Sequence, residues 1–292
     1  MSSIAIVSDS TAALPDEFAQ RHGVAVVPLY VQMDSESLRD GVDLTPEDFY
    51  DRLPKCATLP TTSQPSTGDF AGVYRKLVDE GAKSIVSIHI SSGISGTVNS
   101  ARLASNEIPG VPIEVVDVQC AAASHQITVE AALYAREKGG TFEDVVAAAH
   151  KAVEAQRTVF MVDTLEYLHK GGRIGGASAF LGSMLQFKPL LHFVDGQITA
   201  LSRVRGNKRA LAKMVEVMAT WVPPKEPVQA LIMQANAVEG ANSLLVQLKS
   251  QLTIADARIV PLTPVIGAHI GPGTIGLCCC PVSVCGRVAD LA

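Results

Sequence analysis

Short β-branched apolar runs separated by amphipathic stretches fill the first half of the chain, and that alternation leaves few folds open. Residues 4–7, 24–29, 85–90 and 113–116 are brief, apolar and bounded by turn residues, so they read as strands buried on both faces. Helical patterns lie between them at about 16–21, 46–53, 69–80, 96–106 and 121–138. Pro46 and Asp69 stand where helices begin, with Thr45 capping the first and Thr67 or Asp69 the second. Strands alternating with helices predict a mainly parallel sheet covered on both faces.

A further helix at about 142–154 ends before the apolar run 159–162, and a boundary is expected near residue 157. Beyond it, runs at 190–194 and 198–202 flank Asp195-Gly196, a tight-hairpin dipeptide, so the second half is partly antiparallel. Helices at about 207–220 and 239–251 and strands near 228–233 and 258–262 complete it. The expected fold is α/β with two domains: residues 1–157 with a mainly parallel sheet flanked by helices, then residues 158–292 as a mixed α/β domain whose last strand could pack back on the first.

Among the 292 residues hydrophobic types make up 47%, yet no stretch reaches the roughly 18 apolar residues of a membrane span. The surplus fits either an Ala/Val/Leu-rich core or a buried apolar cavity. A net charge of −5 gives no reason to expect nucleic acid. Met1 to Asp9 reads as a first core strand, not a signal peptide, which places the protein in the cytoplasm. Four of six cysteines (Cys278, Cys279, Cys280 and Cys285) crowd into the last fifteen residues, without the paired spacing of a zinc site, so free thiols and no metal are expected.

Two hydroxyl-rich segments carry the obvious polar chemistry. Ser91-Ser92-Gly93-Ile94-Ser95-Gly96-Thr97 follows a buried strand and precedes a helix, at the sheet edge where ligands of open α/β sheets bind. Ser95 stands at the expected N-cap, where free amides favour a carboxylate or phosphate, or serve only the helix itself. Thr61-Thr62-Ser63-Gln64-Pro65-Ser66 is stiffened by Pro60 and Pro65 and reads as a loop. No Gly-Lys-Ser/Thr ending marks a phosphate loop. Gly93-Ile94-Ser95-Gly96-Thr97 approaches a nucleophile elbow, with Thr97 in place of the final glycine, and His125 or His269 would have to act as its base. Arg173, between glycine pairs, could meet an anion bidentately or bind helix-end carbonyls. Loop residue His269 could donate to a carboxylate or titrate. Arg203, Arg205, Lys208 and Arg209 form a basic cluster that docks an acidic partner or simply faces water.

Taken with Ser8-Asp9-Ser10-Thr11, Asp163-Thr164-Leu165-Glu166-Tyr167-Leu168, Gly171-Gly172-Arg173-Ile174, Lys188-Pro189, Val204-Arg205 and His269-Ile270-Gly271-Pro272-Gly273, these segments resemble the DegV family over nearly the whole chain. The resemblance implies a protein without cofactor or catalytic centre that holds one long-chain fatty acid such as palmitate. The carboxylate would lie between the two domains and the tail would be buried. It implies a carrier for a fatty acid kinase, whose separate ATP-binding subunit phosphorylates the carboxylate for phospholipid synthesis, with transient contact at the membrane surface. By that resemblance Thr62 and Ser95 hold the carboxylate, with Ser63, Ser92 and His269 beside them. Arg173, with Arg203 and Arg205, would serve the kinase encounter or the phosphoryl group. A lipid sensor would need the same pocket, and an esterase using Ser95 is the competing reading. The shape of the acyl cavity would depend on which of Phe180, Leu181, Met184 and Leu185 point inward. The chain departs from the family pattern after Gly276-Leu277, where Cys278-Cys279-Cys280-Pro281 replaces an aromatic-containing strand, so the last fifteen residues read as a divergent tail or an altered reading frame.

Overall fold

The apolar runs of the first half become strands of one sheet in the computed structural model, which describes residues 3–181 and 187–287. In chain order the first half contains β1 (Ile4–Asp9), β2 (Val24–Val27), β3 (Tyr30–Met33), β4 (Glu36–Arg39), β5 (Thr61–Ser63), β6 (Ser84–His89) and β7 (Ile113–Asp117). Strands β2-β1-β6-β7 form a parallel sheet in that order. Every residue of the central pair β1 and β6 is buried, which is why both read as mainly apolar runs, with Ser8, Asp9, Ser84, Ser87 and His89 as buried polar exceptions. The chain turns to opposite sides of the sheet from this pair, so the loops after β1 and β6 open at the topological switch point.

The remaining strands of this half were not legible. β4-β3-β5 form a small antiparallel sheet. Asp34 and Ser35 turn its hairpin with φ of 51° and 68°, the left-handed pair of a two-residue turn that more often carries glycine. The hydroxyl-rich segment read as a loop therefore contains a strand, β5, paired to β3. The helix Thr67–Asp79 begins two residues earlier than expected. Ser66 is its cap, closing a capping box with Asp69.

The second half supplies β8 (Arg157–Met161), β9 (Phe187–Val194), β10 (Gln197–Arg205), β11 (Val228–Gln234), β12 (Ile254–Pro261) and β13 (Ile275–Pro281). They form one mixed sheet in the order β10-β9-β8-β13-β11-β12, in which only β11 and β12 run parallel. Asp195-Gly196 turns the β9–β10 hairpin as expected. Helices Asn207–Trp221 and Val238–Lys249 cover one face of the sheet. The other face turns toward the first half.

The cysteine run is no stray tail. Cys278, Cys279 and Cys280 lie in β13, between β8 and β11, and all three are buried. Cys278 and Cys280 face the first half, and Cys279 the covering helices. The residues act as small apolar side chains, and burial pushes the Cys278 thiol up to about 12, which leaves it unreactive. Residues 288–292, together with Met184 and Leu185 of the expected acyl patch, lie outside the described residues.

Two buried carboxylates tie the halves together. Glu130, on the helix Ala123–Glu137, accepts a bidentate pair from Arg258 of β12 (2.8 and 2.7 Å) and bonds from Gln126 and Gln229. Asp40 accepts the Val265 N–H at 3.1 Å in the first turn of the helix Pro264–Ile270, while its Oδ2 has no partner. Burial pushes the Asp40 carboxyl up to about 6. A carboxyl raised in the fold contributes stability below the ordinary carboxylate range and loses it as pH rises through the folded value. Asp40→Asn is accordingly expected to gain on the order of 2 kcal/mol over wild type on moving from about pH 4 to pH 8. Denaturant midpoints at the two pH values measure it, and a difference that does not widen would contradict the buried-carboxyl assignment.

Candidate functional site

The loop after β6 is fastened before it reaches Ser95. The Ser91 hydroxyl donates to the Gly196 carbonyl at 2.7 Å and accepts the Gly93 N–H at 3.1 Å. A Cβ on Gly93 would lie 2.5 Å from that same carbonyl oxygen, so glycine is required for the β9–β10 turn to seat here. The following helix is Thr97–Ser105 and its cap is Gly96, which corrects the expectation that Ser95 caps it. Ser95 instead shares a 2.9 Å hydrogen bond with the Thr97 hydroxyl.

Thr62 and His269, 207 residues apart, are joined at 2.7 Å between Oγ1 and Nε2. His269 is not a loop residue: it occupies the last turn of the helix Pro264–Ile270. Burial, then the nearby Arg173 cation, hold its imidazole down at about 4, so it is neutral near pH 7 and meets an anion as a hydrogen-bond partner instead of a countercharge. Its Nδ1 is buried without a partner. Gly171 lets this ring approach, since a Cβ there would stand 2.5 Å from Nδ1. Arg173 spends two of its five donor hydrogens on the Ile94 and Gly171 carbonyls, at 3.2 and 2.7 Å.

Thr62, Ser95, Arg173 and His269 line one cavity between the two sheets, and Gln64 joins them. The cavity has about 810 Å³ of space, open solvent at its mouth included. Its walls are otherwise mostly apolar: Ile90, Ile94 and Ala122 come from the first half, and Phe160, Met233 and Ile266 from the second. Ala122 is held at φ 55° and ψ −120°, a backbone costly for a residue with a side chain and typical of ligand-gripping segments.

Other expected site residues are placed elsewhere. Ser63 is exposed on the opposite side of β5 from Thr62, because successive side chains of a strand alternate. That pleat explains why Gln64 lines the cavity and Ser63 does not. Ser92 is exposed and bonded to Asp117, at 2.5 Å from its hydroxyl. Arg203 lies over the Phe180 ring with its guanidinium carbon 4.9 Å from the centroid, and Arg205 is exposed. Neither borders the cavity, nor do Phe180 and Leu181.

Among the described residues no hydrogen bond joins Ser95 to either candidate base, and His269, which lines the same cavity, is paired with Thr62. His125 is in the helix Ala123–Glu137 and bonds to Ser8, Thr11 and the Ile88 carbonyl, not Ser95. A Ser-His-Asp chain does occur, Ser87 to His89 at 2.7 Å and His89 to Asp9 at 3.0 Å. All three residues are fully buried and the Ser87 hydroxyl is held by Tyr74, so the chain fastens β1 to β6. Burial pushes the Asp9 carboxyl up, but His125, His89 and Thr11 outweigh it and hold the group down at about 2. Among the described residues no group of three or more His, Cys, Asp or Glu is placed to hold a metal ion, and no helix is long and apolar enough to cross a membrane.

The family model described as uncharacterised protein, DegV family, matches residues 3–282. The chain belongs to the DegV family. A DegV domain-containing protein of Halalkalibacterium halodurans is 38% identical over 279 residues, which cover 95% of this chain and 98% of that one. A fatty acid-binding protein of Thermotoga maritima is 32% identical over 279 residues, covering 94% and 96%. Among solved structures, a fatty-acid-binding DegV family protein from Thermus thermophilus superposes with a TM-score of 0.91 at 38% identity, covering 96% of this chain and all of that one. The DegV match extends through β13, so the cysteine run belongs to the family fold.

Proposed function

We propose that this DegV protein holds one long-chain fatty acid, its carboxylate at the end of the cavity marked by Thr62, Ser95, His269 and Arg173 and its tail along the apolar walls. The observation that carries this reading is the grouped polarity of the cavity: Thr62 is bonded to the neutral His269, Arg173 stands near that ring and reaches the Ile94 carbonyl beside Ser95, and the walls are otherwise mostly apolar. A ligand with a single anionic head and a long apolar tail matches that distribution. The fatty-acid-binding relatives support the same class.

Arg173 supplies a positive charge to the carboxylate, while Thr62, Ser95 and the neutral His269 orient it through hydrogen bonds, which fits a carrier. In this reading a separate ATP-binding kinase subunit transfers a γ-phosphoryl group to a carboxylate oxygen, and the acyl phosphate leaves for phospholipid synthesis at the membrane surface. Exposed Arg203 and Arg205 would meet that subunit, and Ser63 and Ser92 would act only once it docks. Residues 1–157 and 158–292 would act as the two domains that close on the ligand.

Thr62→Val and Ser95→Ala are expected to weaken binding of palmitate only about three- to tenfold, since each neutral hydrogen bond is worth about 0.5–1.5 kcal/mol net. With the kinase subunit and ATP, the same variants should lose most of the acyl phosphate trapped by hydroxylamine. Fluorescent fatty-acid displacement measures the first effect. Loss of all uptake in either variant would overturn this division between head and tail. Turnover of a short-chain chromogenic ester that disappears in Ser95→Ala would favour the esterase instead.

A further inference from the structure

A second cavity adjoins the first, with about 830 Å³ of space that again includes open solvent at its mouth. Among the described residues the two share only Thr158 and Phe193. Their chemistry differs. The second is bordered by Gln156, Arg157, His192 and Asp195 as well as apolar side chains. Gln156 is only 7% exposed and its Oε1 has no partner. His192 stacks on Trp221 with ring centroids 5.7 Å apart.

We propose that Phe193 is the gate that sets the longest acyl chain this protein accepts, closing the apolar cavity against the polar chamber beside it. The proposal rests on the fatty-acid reading above. Of the two shared residues, Thr158 is fixed: its hydroxyl is 2.5 Å from that of Ser124, which also lies 3.3 Å from the Cys278 thiol. Phe193 is held by ring contact with Phe160, centroids 6.0 Å apart and planes tilted by 38°. It is only half-buried, as expected of a side chain with open space on two sides. Turning this one ring would join the cavities without moving the backbone of β9. A chain that passed the gate would lay methylenes against an unpartnered amide oxygen and water, which removes the gain that draws it into the first cavity. The wall therefore selects against length as well as blocking it.

The test loads wild type, Phe193→Ala and Phe193→Leu with an equimolar mixture of saturated acids from myristic to behenic, and identifies the protein-bound fraction by mass spectrometry. Wild type should hold myristic to stearic acid and reject behenic. Phe193→Ala should raise the arachidic-to-palmitic ratio by about tenfold or more, with Phe193→Leu between the two. The leucine variant keeps most of the buried volume and decides the matter if the alanine variant does not fold. Loaded variants with the wild-type profile would overturn the gate while leaving the fatty-acid site standing. Failure of wild type to take any acid would instead remove the reading on which the gate depends.

Discussion

Gly276→Leu is expected to lower affinity for palmitate about a hundredfold. Gly276 lies in the middle sheet strand β13 and lines the cavity. A Cβ there would point at the Met233 methyl, 2.5 Å away, and the Phe160 Cβ is next at 3.3 Å. Met233 has a flexible end and can move, so the added side chain occupies space that the tail would otherwise fill. Displacing about four methylenes at roughly 0.8 kcal/mol each removes about 3 kcal/mol of binding, or two powers of ten. Overpacking should also cost about 1–3 kcal/mol of stability, so binding is compared at a temperature where both proteins are folded. The contrast with the small effect expected at Thr62 and Ser95 is the informative part. If Gly276→Leu binds palmitate as wild type does, the tail does not run along this wall.

Glu130→Ala should destabilise the fold by about 3–5 kcal/mol, among the largest effects expected of one substitution. The carboxylate is 1% exposed, and its loss would leave Gln126 and Gln229 without this acceptor and the Arg258 guanidinium with Asp256 as its remaining carboxylate partner. Glu130, Gln126, Gln229 and Arg258 bridge the helix Ala123–Glu137 to β11 and β12, so the loss should loosen one sheet against the other. Arg258 keeps some solvent contact, with 27% of its side chain exposed, which favours the lower end of the range. Equilibrium denaturation measures the change, and a loss under about 1 kcal/mol would show that water replaces the cluster freely.

What could be read from sequence followed burial. β1 and β6 are buried on both faces and announce themselves as apolar runs. The hairpin of β3 and β4 has exposed residues such as Gln32, Glu36 and Ser37 and a turn of Asp34 and Ser35, so neither strand nor turn gives a local signal. The helix holding His269 is seven residues long and almost wholly buried, so it has no polar face to reveal its period, and Gly271-Pro272-Gly273 draws the eye to a loop. Its Pro264 after Thr263 was the start signal available. Thr62 and Gln64 face the cavity through the two-residue alternation of an extended segment, a period hidden in a stretch that reads as a loop. Phe160, Phe193, Met233 and Gly276 meet only through strand pairing between distant segments, which no local pattern encodes.

The most direct measurement is denaturing mass spectrometry of lipids extracted from the purified protein, with and without prior incubation with palmitate and oleate. A bound fatty acid approaching one per chain is the predicted result, because one cavity brings Thr62, Ser95, Arg173 and His269 together beside mostly apolar walls. A chain that carries no fatty acid under either condition would contradict the binding reading.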